Sequence, residues 1–184
     1  MKLTVAVAAL ALLSGCISSD NAVKAAVASA CGSGGGCAGL EGIARDSCLL
    51  KAATDCGDQN MCGGIADREL EYRCLLRFGT LDLILCSGIG NQSVREECYV
   101  NGALLKRDPT ICDKIGNQYS EDMCRARYGY EFDNRTVCND IKHFERRDFC
   151  FAVADKDGTI CGNMINSDLR ITCVEWTMKK LPKV

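Results

Sequence analysis

The stretch DPTICDKIGNQYSEDMC, residues 108–124, contains one complete copy of a pattern that recurs along most of the chain. It opens with aspartate and proline, and its two cysteines lie 12 residues apart on either side of a glycine–asparagine pair. The first cysteines of the successive copies are separated by 25, 24, 26, 26 and 23 residues, and they are Cys37, Cys62, Cys86, Cys112, Cys138 and Cys161. A period of about 25 residues predicts a repeat architecture, in which neighbouring copies bury a shared core.

Each repeat after the first has a helix-start signal four residues before its first cysteine. Aspartate or asparagine stands there, and its side-chain oxygen accepts hydrogen bonds from first-turn amides that lack a partner within the helix. Pro109 occupies the first helical position, where its fixed φ and missing N–H are tolerated. These predicted N-cap residues are Asp58, Asp82, Asp108, Asn134 and Asp157.

Apolar side chains flank the first cysteine on one helical face, as Ile111 and Ile115 do in the quoted repeat. We expect this first helix to span about ten residues. The pairs Gly90-Asn91 and Gly116-Asn117 are expected to end it, because glycine and asparagine readily adopt the left-handed conformation of a helix end.

A second helix carries the second cysteine of each repeat. Ser93-Val94-Arg95-Glu96 fits the reciprocal capping box and predicts that this helix begins at Ser93. An arginine recurs three residues before the second cysteine, and we interpret it as part of a solvated face or of an ion pair between repeats; it is Arg45, Arg95, Arg147 and Arg170. Small residues that allow close helix contact follow five residues after the second cysteine, at Ala53, Gly79, Ala103 and Gly129.

The sequence therefore predicts an all-α fold, an array of about six short helical hairpins cross-linked by disulfides. Pairing within each hairpin would join Cys37 to Cys48, Cys62 to Cys74, Cys86 to Cys98, Cys112 to Cys124, Cys138 to Cys150 and Cys161 to Cys173. Spacing leaves a second scheme open, in which Cys98 pairs with Cys112 and Cys124 with Cys138. Cys31 and Cys56 are then left to pair by elimination.

The N-terminus has the features of an export signal. Lys2 precedes an apolar run over residues 3–13, which is shorter than the roughly 20 residues of a transmembrane helix. The junction Leu13-Ser14-Gly15-Cys16 resembles the lipobox of prokaryotic lipoproteins. The resemblance implies cleavage before Cys16 and a lipid on its thiol. The alternative is cleavage after Ala28-Ser29-Ala30, with Cys16 an ordinary cysteine.

The number of cysteines agrees with the lipobox. Without Cys16, the 15 cysteines become 14, an even number that suits a disulfide framework in an oxidising extracytoplasmic compartment. We expect a signal peptide over 1–15, then an anchor segment over 16–36, and a cysteine-rich repeat domain over 37–184. The anchor segment would include an alanine-rich capping helix from Asn21 to Ala30 and a glycine-rich turn.

The predicted stack of hairpins resembles the α-solenoid class, which includes tetratricopeptide-type repeats and disulfide-stapled secreted repeats. The likeness concerns architecture alone, because the tetratricopeptide period is about 34 residues. Trp176, the single tryptophan, lies in the last repeat rather than at a recurring position.

Recognisable catalytic patterns are missing from the sequence. His143 is the only histidine and lies among charged residues typical of a wet surface, and the glycines at 32–36 lack the lysine of a phosphate loop. Because Cys-x2-Cys pairs are absent, disulfides are favoured over a metal site, and no cofactor is expected. The net charge of −2 argues against nucleic acid as a partner.

The sequence favours a membrane-tethered extracytoplasmic lipoprotein that binds or scaffolds without catalytic activity. Its expected partners are the membrane, through the lipid anchor, and a protein or an envelope glycan. Two alternatives remain open: a metal-sequestering or thiol-redox protein, which would need free thiolates, and a structural protein of the envelope.

Overall fold

The computed structural model describes residues 31 and 36–178, and these belong to two compact units, 1–65 and 66–184. All regular secondary structure in the described residues is helical. The predicted signal peptide, the predicted lipidation site Cys16, the predicted capping helix over 21–30 and most of the predicted glycine-rich turn lie outside the described residues.

The first unit is built on one α-helix. A turn over residues 36–39 leads to α1, Gly42–Cys56, and the 3-10 helix η1, Gln59–Gly64, follows. Disulfides join Cys37 to Cys48 and Cys31 to Cys56, with Cα separations of 5.8 and 5.7 Å. The first helix expected for this repeat is thus a turn in the structure, and its cysteine packs with Leu40, Leu49 and Ala52.

The second unit alternates short and long helices. The elements are α2 Arg68–Arg77, α3 Leu83–Ser87, α4 Gln92–Lys106, η2 Pro109–Lys114, α5 Gln118–Phe132, η3 Arg135–Asp140, α6 Phe144–Asp155, η4 Ile160–Asn163 and α7 Ser167–Met178. From α3 onward, each short element carries the first cysteine of a repeat and the following long helix carries the second. The predicted all-α fold of disulfide-linked helices is confirmed.

In the five repeats after the first, the first helix is shorter than predicted. It has four to six residues, and η1 to η4 are 3-10 helices. Ile115, which was expected inside the helix, already has extended backbone (φ −81°, ψ 116°) while its side chain is buried. The chain must leave the helix there, because Asn117, two residues later, needs extended backbone to cap the next helix.

Four of the five predicted N-caps of these short helices are confirmed. Asp58, Asp82, Asp108 and Asn134 each accept a hydrogen bond from the N–H two residues later, at 3.0, 3.0, 3.0 and 3.1 Å. The fifth prediction is wrong: Asp157 accepts a hydrogen bond from the N–H of Thr159 at 2.9 Å, but η4 begins only at Ile160, with Thr159 in the N-cap position.

The predicted boundary between the two helices of a repeat is wrong. Asn91 is not left-handed (φ −71°); it caps α4 by accepting hydrogen bonds from the N–H groups of Ser93 and Val94, so α4 begins at Gln92 rather than at Ser93. Asn117 caps α5 in the same way. The left-handed residues stand at the ends of the second helices instead, and they include Gly57, Arg107, Asp133 and Lys156.

The same turn that ends one repeat starts the next. In most cases the residue after the left-handed residue is the N-cap of the next short helix, and its N–H donates a hydrogen bond to the end of the preceding helix. Asp108 N–H donates to the Ala103 carbonyl oxygen at 3.0 Å, and Asn134 N–H donates to the Gly129 carbonyl oxygen at 2.9 Å. Ala103 is fully buried, and a side chain on Gly129 would press on Asn134. The small residues noted in the sequence therefore lie at this closing turn.

Disulfides in the second unit follow the pairing within repeats. Cys86–Cys98, Cys112–Cys124, Cys138–Cys150 and Cys161–Cys173 have Cα separations of 5.5 to 5.8 Å. The second scheme, which paired cysteines of neighbouring repeats, is not the one in the structure. Cys62 and Cys74 are disulfide-bonded as well.

The recurring arginine binds within its own repeat where its contacts are seen. Arg95 donates to the carbonyl oxygens of Ile89 and Gly90, at 2.7 and 3.3 Å, and Arg170 donates to that of Met164 at 3.3 Å. These carbonyls lie where the chain leaves a short helix. At these two positions the arginine holds the short element against the long helix, whereas the sequence suggested a solvated face or an ion pair between repeats.

Candidate binding groove

A groove between α4 and α5 is the main candidate site in the second unit. Its volume is about 420 Å³, within the usual range for ligand pockets. We call it the α4–α5 groove, and its lining residues are Ser93, Glu96, Glu97, Val100, Asn101, Leu104, Tyr119, Ser120, Met123, Cys124, Arg127 and Trp176.

Helical spacing explains which side chains reach the groove. Ser93, Glu97, Val100 and Leu104 follow one another at intervals of three or four residues, so they share one face of α4. On α5, Tyr119, Met123 and Arg127 share a face for the same reason. Trp176 of α7 completes the lining next to Arg127.

The two helices meet beyond one end of the groove. Leu104 and Tyr128 are both buried in a small cluster with Val137, and the Tyr128 hydroxyl donates to the Arg107 carbonyl oxygen at 2.9 Å. At the base, Cys124 belongs to the disulfide with Cys112. The walls are therefore held by covalent and buried contacts, which fix the shape of the groove.

The middle of the groove is apolar. Val100 and Met123 are half-buried, and the Tyr119 ring at the rim is 54% exposed. Methionine is flexible and polarisable, so it adapts to apolar groups of different shape. The apolar surface is thus accessible to a partner from solvent.

One end of the groove is acidic. Side-chain hydrogen bonds from Ser120 and Gln92 lower the pKa of Glu96, which keeps this carboxylate ionised at neutral pH. Glu97 is exposed beside it and accepts a hydrogen bond from the Tyr72 hydroxyl at 3.3 Å. Two carboxylates therefore stand next to each other where the groove begins.

Tyr72 supports this acidic end from below. Its hydroxyl also accepts a hydrogen bond from Asn101 Nδ2 at 2.6 Å, and its side chain is 1% exposed. Burial, together with the charge of Glu97, raises the pKa of Tyr72 to about 12. Tyr72 therefore stays neutral under physiological conditions and fixes both Glu97 and Asn101.

The other end carries a positive charge that is already compensated. Arg127 forms an ion pair with Glu131 at 2.6 Å, and its guanidinium lies over the Trp176 ring, 5.6 Å from the centroid. Trp176 in turn packs edge-on against Phe149 and Tyr130, at 5.5 and 6.0 Å. Of the acidic groups at the opposite end, Glu96 interacts electrostatically with Arg95 and Glu97 with Arg73, but among the described residues neither glutamate lies in an ion pair like that of Arg127.

His143 lies away from this groove, exposed at the start of α6, where its ring stacks on Phe144 at 5.4 Å. It borders a second, polar cavity of about 320 Å³. A carboxylate that lines this cavity, Glu145, stabilises the fold. Glu145 accepts hydrogen bonds from the N–H groups of Ile165 and Asn166 at 2.5 and 2.9 Å, which ties neighbouring repeats together. This cavity is therefore part of the contact between repeats.

The cysteines from Cys31 to Cys173 are all disulfide-bonded. Among the described residues, no group of three or more histidine, cysteine, aspartate or glutamate side chains is arranged to hold a metal ion. Within the same part of the chain, none of the helices combines the length and the apolar character needed to cross a membrane.

Sequence reasoning did not single out the groove. The stripe on α4 and the sole tryptophan were visible, but which helix pairs close and which stay open depends on packing between repeats. Comparison with protein-family models, with curated proteins and with solved structures finds no match for this chain. The groove and the disulfide framework are thus the basis for assigning a function.

Proposed function

We propose that the protein is a membrane-tethered extracytoplasmic binding module without catalytic activity, and that the α4–α5 groove is its partner-binding surface. The observation that carries the proposal is an accessible apolar groove with an acidic end, built on helices that disulfides hold in place. Such rigid presentation lowers the cost of ordering the surface when a partner binds.

The disulfide framework indicates an oxidising extracytoplasmic compartment. The lipobox at Leu13–Cys16 supports a lipid anchor on Cys16. Intact mass spectrometry of protein purified from membranes, before and after reduction and alkylation, tests the anchor. We expect a mass that corresponds to cleavage before Cys16 plus lipid, and a Cys16→Ala variant that leaves the membrane fraction; an unlipidated wild-type chain would contradict the tether.

A binding role agrees with the state of the polar groups in the groove. Glu96 is hydrogen-bonded by Ser120 and Gln92, Arg127 is paired with Glu131, and Asn101 is bonded to Tyr72. These groups hold the walls in place, which suits recognition of a surface. Catalysis by a general base would require a side chain whose pKa is tuned near the working pH.

Quantitative co-purification from cross-linked membranes tests the groove. Met123→Glu places a charge among the half-buried apolar side chains of the groove, and Ile165→Glu controls for the added charge because Ile165 is 81% exposed outside the groove. Circular dichroism of both variants checks that each keeps the helical fold of wild type. We expect Met123→Glu to lose a partner that wild type and Ile165→Glu both retain. Equal recovery with all three proteins would contradict a role for the groove.

A further inference from the structure

Resting on the proposed function, we infer that the groove receives an amphipathic helical segment of another protein, about three turns long, with a lysine or arginine at the end that meets Glu96 and Glu97. The inference concerns the chemistry of the partner, which the groove restricts in length, polarity and charge.

The length follows from α4. The lining runs from Ser93 to Leu104, and at a rise of 1.5 Å per residue this face is about 16 Å long. A helix of the same length has about 11 residues and presents apolar side chains at intervals of three or four along one face. Tyr119, Val100 and Met123 offer apolar contacts along this face, and the buried Leu104 closes its far end.

The polarity favours a helix face over a sugar. The middle of the groove is lined by aliphatic, methionine and aromatic side chains with Asn101 beside them, and its charged groups lie at the two ends, Glu96 and Glu97 at one and Arg127 at the other. A glycan would need hydrogen-bond partners distributed along its whole length. An apolar stripe with a cationic end matches this lining, because Arg127 at the opposite end is already paired with Glu131.

The charge follows from the two ends. Glu97 is exposed, and the hydroxyl of Tyr72 that donates to it is 3.3 Å away, so this carboxylate can still accept from a cation. Arg127 at the opposite end is offset by Glu131. A cationic side chain would therefore be attracted to one end only, which also sets the direction in which the segment lies.

Two synthetic peptides of 12 residues with blocked termini test the inference against the full, disulfide-bonded protein. Both carry the same leucine stripe and no tryptophan, and they differ in having two lysines or two glutamates at one end. Because Trp176 is the only tryptophan and lines the groove, its fluorescence reports binding directly. We expect the lysine peptide to bind at least tenfold more tightly at low salt.

Glu97→Gln removes the charge but keeps an acceptor for Tyr72, and Asp140→Asn is the matched control because Asp140 is exposed outside the groove. We expect Glu97→Gln to reduce the preference for the lysine peptide at least threefold, with no change in Asp140→Asn. Met123→Glu should abolish binding of the peptide, while Ile165→Glu should not.

Equal affinity for the two peptides, or the same preference in Glu97→Gln as in wild type, would overturn the cationic partner. If that binding were still lost in Met123→Glu, the groove would remain a binding surface and the proposed function would stand. Failure of both peptides to bind would overturn the inference that the groove receives a helical segment. The co-purification experiment tests the proposed function separately. A dimer in sedimentation that Met123→Glu dissociates would identify a second copy as the occupant and also overturn the inference.

Discussion

The two neighbouring helix pairs α4–α5 and α5–α6 use the same repeat but pack differently. α5 contacts α6 more extensively than it contacts α4. At Gly129 on α5, a methyl group would come within 3.5 Å of both Ala154 Cβ and Cys150 Sγ, so α6 lies directly against the backbone there. Val100 and Met123 line the groove that α4 and α5 leave between them.

This difference shows how one repeat can supply both stability and a binding surface. Glycine and the fully buried Ala126 and Ala152 let α5 and α6 approach closely. A buried ion pair adds to that contact, since Arg146 Nε donates to Asp122 at 2.6 Å while Gln118 donates to the same carboxylate at 3.0 Å. The side chains between α4 and α5 are larger and partly exposed, so the interface stays open.

The largest effect is expected from removing a disulfide from the repeat of α5 or from the repeat of α6. Cys112→Ala/Cys124→Ala and Cys138→Ala/Cys150→Ala should each lower the free energy of unfolding by at least about 3 kcal/mol, because each opens a loop of 12 residues in the unfolded chain. Urea unfolding without reductant measures both. A loss below about 1 kcal/mol would show that the staples contribute little to stability.

The next effect concerns the buried ion pair of the closed interface. Arg146→Met leaves the carboxylate of Asp122, which is 0% exposed, without its cation, and we expect a loss of about 3 kcal/mol. Arg135→Met is the control, since Arg135 is 63% exposed in its pair with Asp155 and should cost less than about 1 kcal/mol. Equal losses in urea unfolding would contradict the special role of Arg146.

Alkaline pH should weaken the acidic end of the open interface. Burial raises the pKa of Tyr72 to about 12, above its unfolded value of 10.0, so the neutral form is favoured by folding. This stabilisation is complete below pH 10 and is lost as pH rises towards 12. Between pH 9 and about 11.5, wild type should lose about 2 kcal/mol more than Tyr72→Phe in urea unfolding. Parallel losses in the two proteins would contradict the assignment.

An effect of the same size as that of Tyr72 is expected from filling the closed interface. Gly129→Leu would press against Asn134 and α6, and overpacking of this kind should cost about 2 kcal/mol. Gly116→Leu is matched, because a Cβ there meets no atom within 4 Å, and it should change stability by less than about 0.5 kcal/mol. Thermal melting distinguishes the two; similar melting temperatures would mean that α5 and α6 are not tightly packed at Gly129.

Much of the fold was predictable because its signals are local. The N-caps Asp58 to Asn134 and the spacing of the cysteines depend on a few neighbouring residues, and both were identified from the sequence. The capping box at Ser93 was misplaced because Asn91 offers a competing cap two residues earlier. The short helices end earlier than their apolar periodicity predicts, because Asn117 needs extended backbone to cap the next helix.

The groove was not predictable in the same way. Whether α4 and α5 pack tightly or leave a groove depends on how Leu104, Tyr128 and Val137 pack between repeats. The spacing of residues within one repeat does not predict that packing. The buried contact between Asp122 and Arg146, 24 residues apart, is equally invisible to a local pattern. The lipid anchor at Cys16 remains a prediction.

The most direct test of the central claim is site-specific photo-crosslinking in native membranes, with a photoreactive amino acid at Val100 in the groove and, separately, at Ile171, which is 59% exposed on α7. We expect a partner adduct from position 100 that disappears when Met123→Glu is added, and none from position 171. The same adduct from both positions, or an adduct at position 100 that persists with Met123→Glu, would contradict the α4–α5 groove as the binding surface.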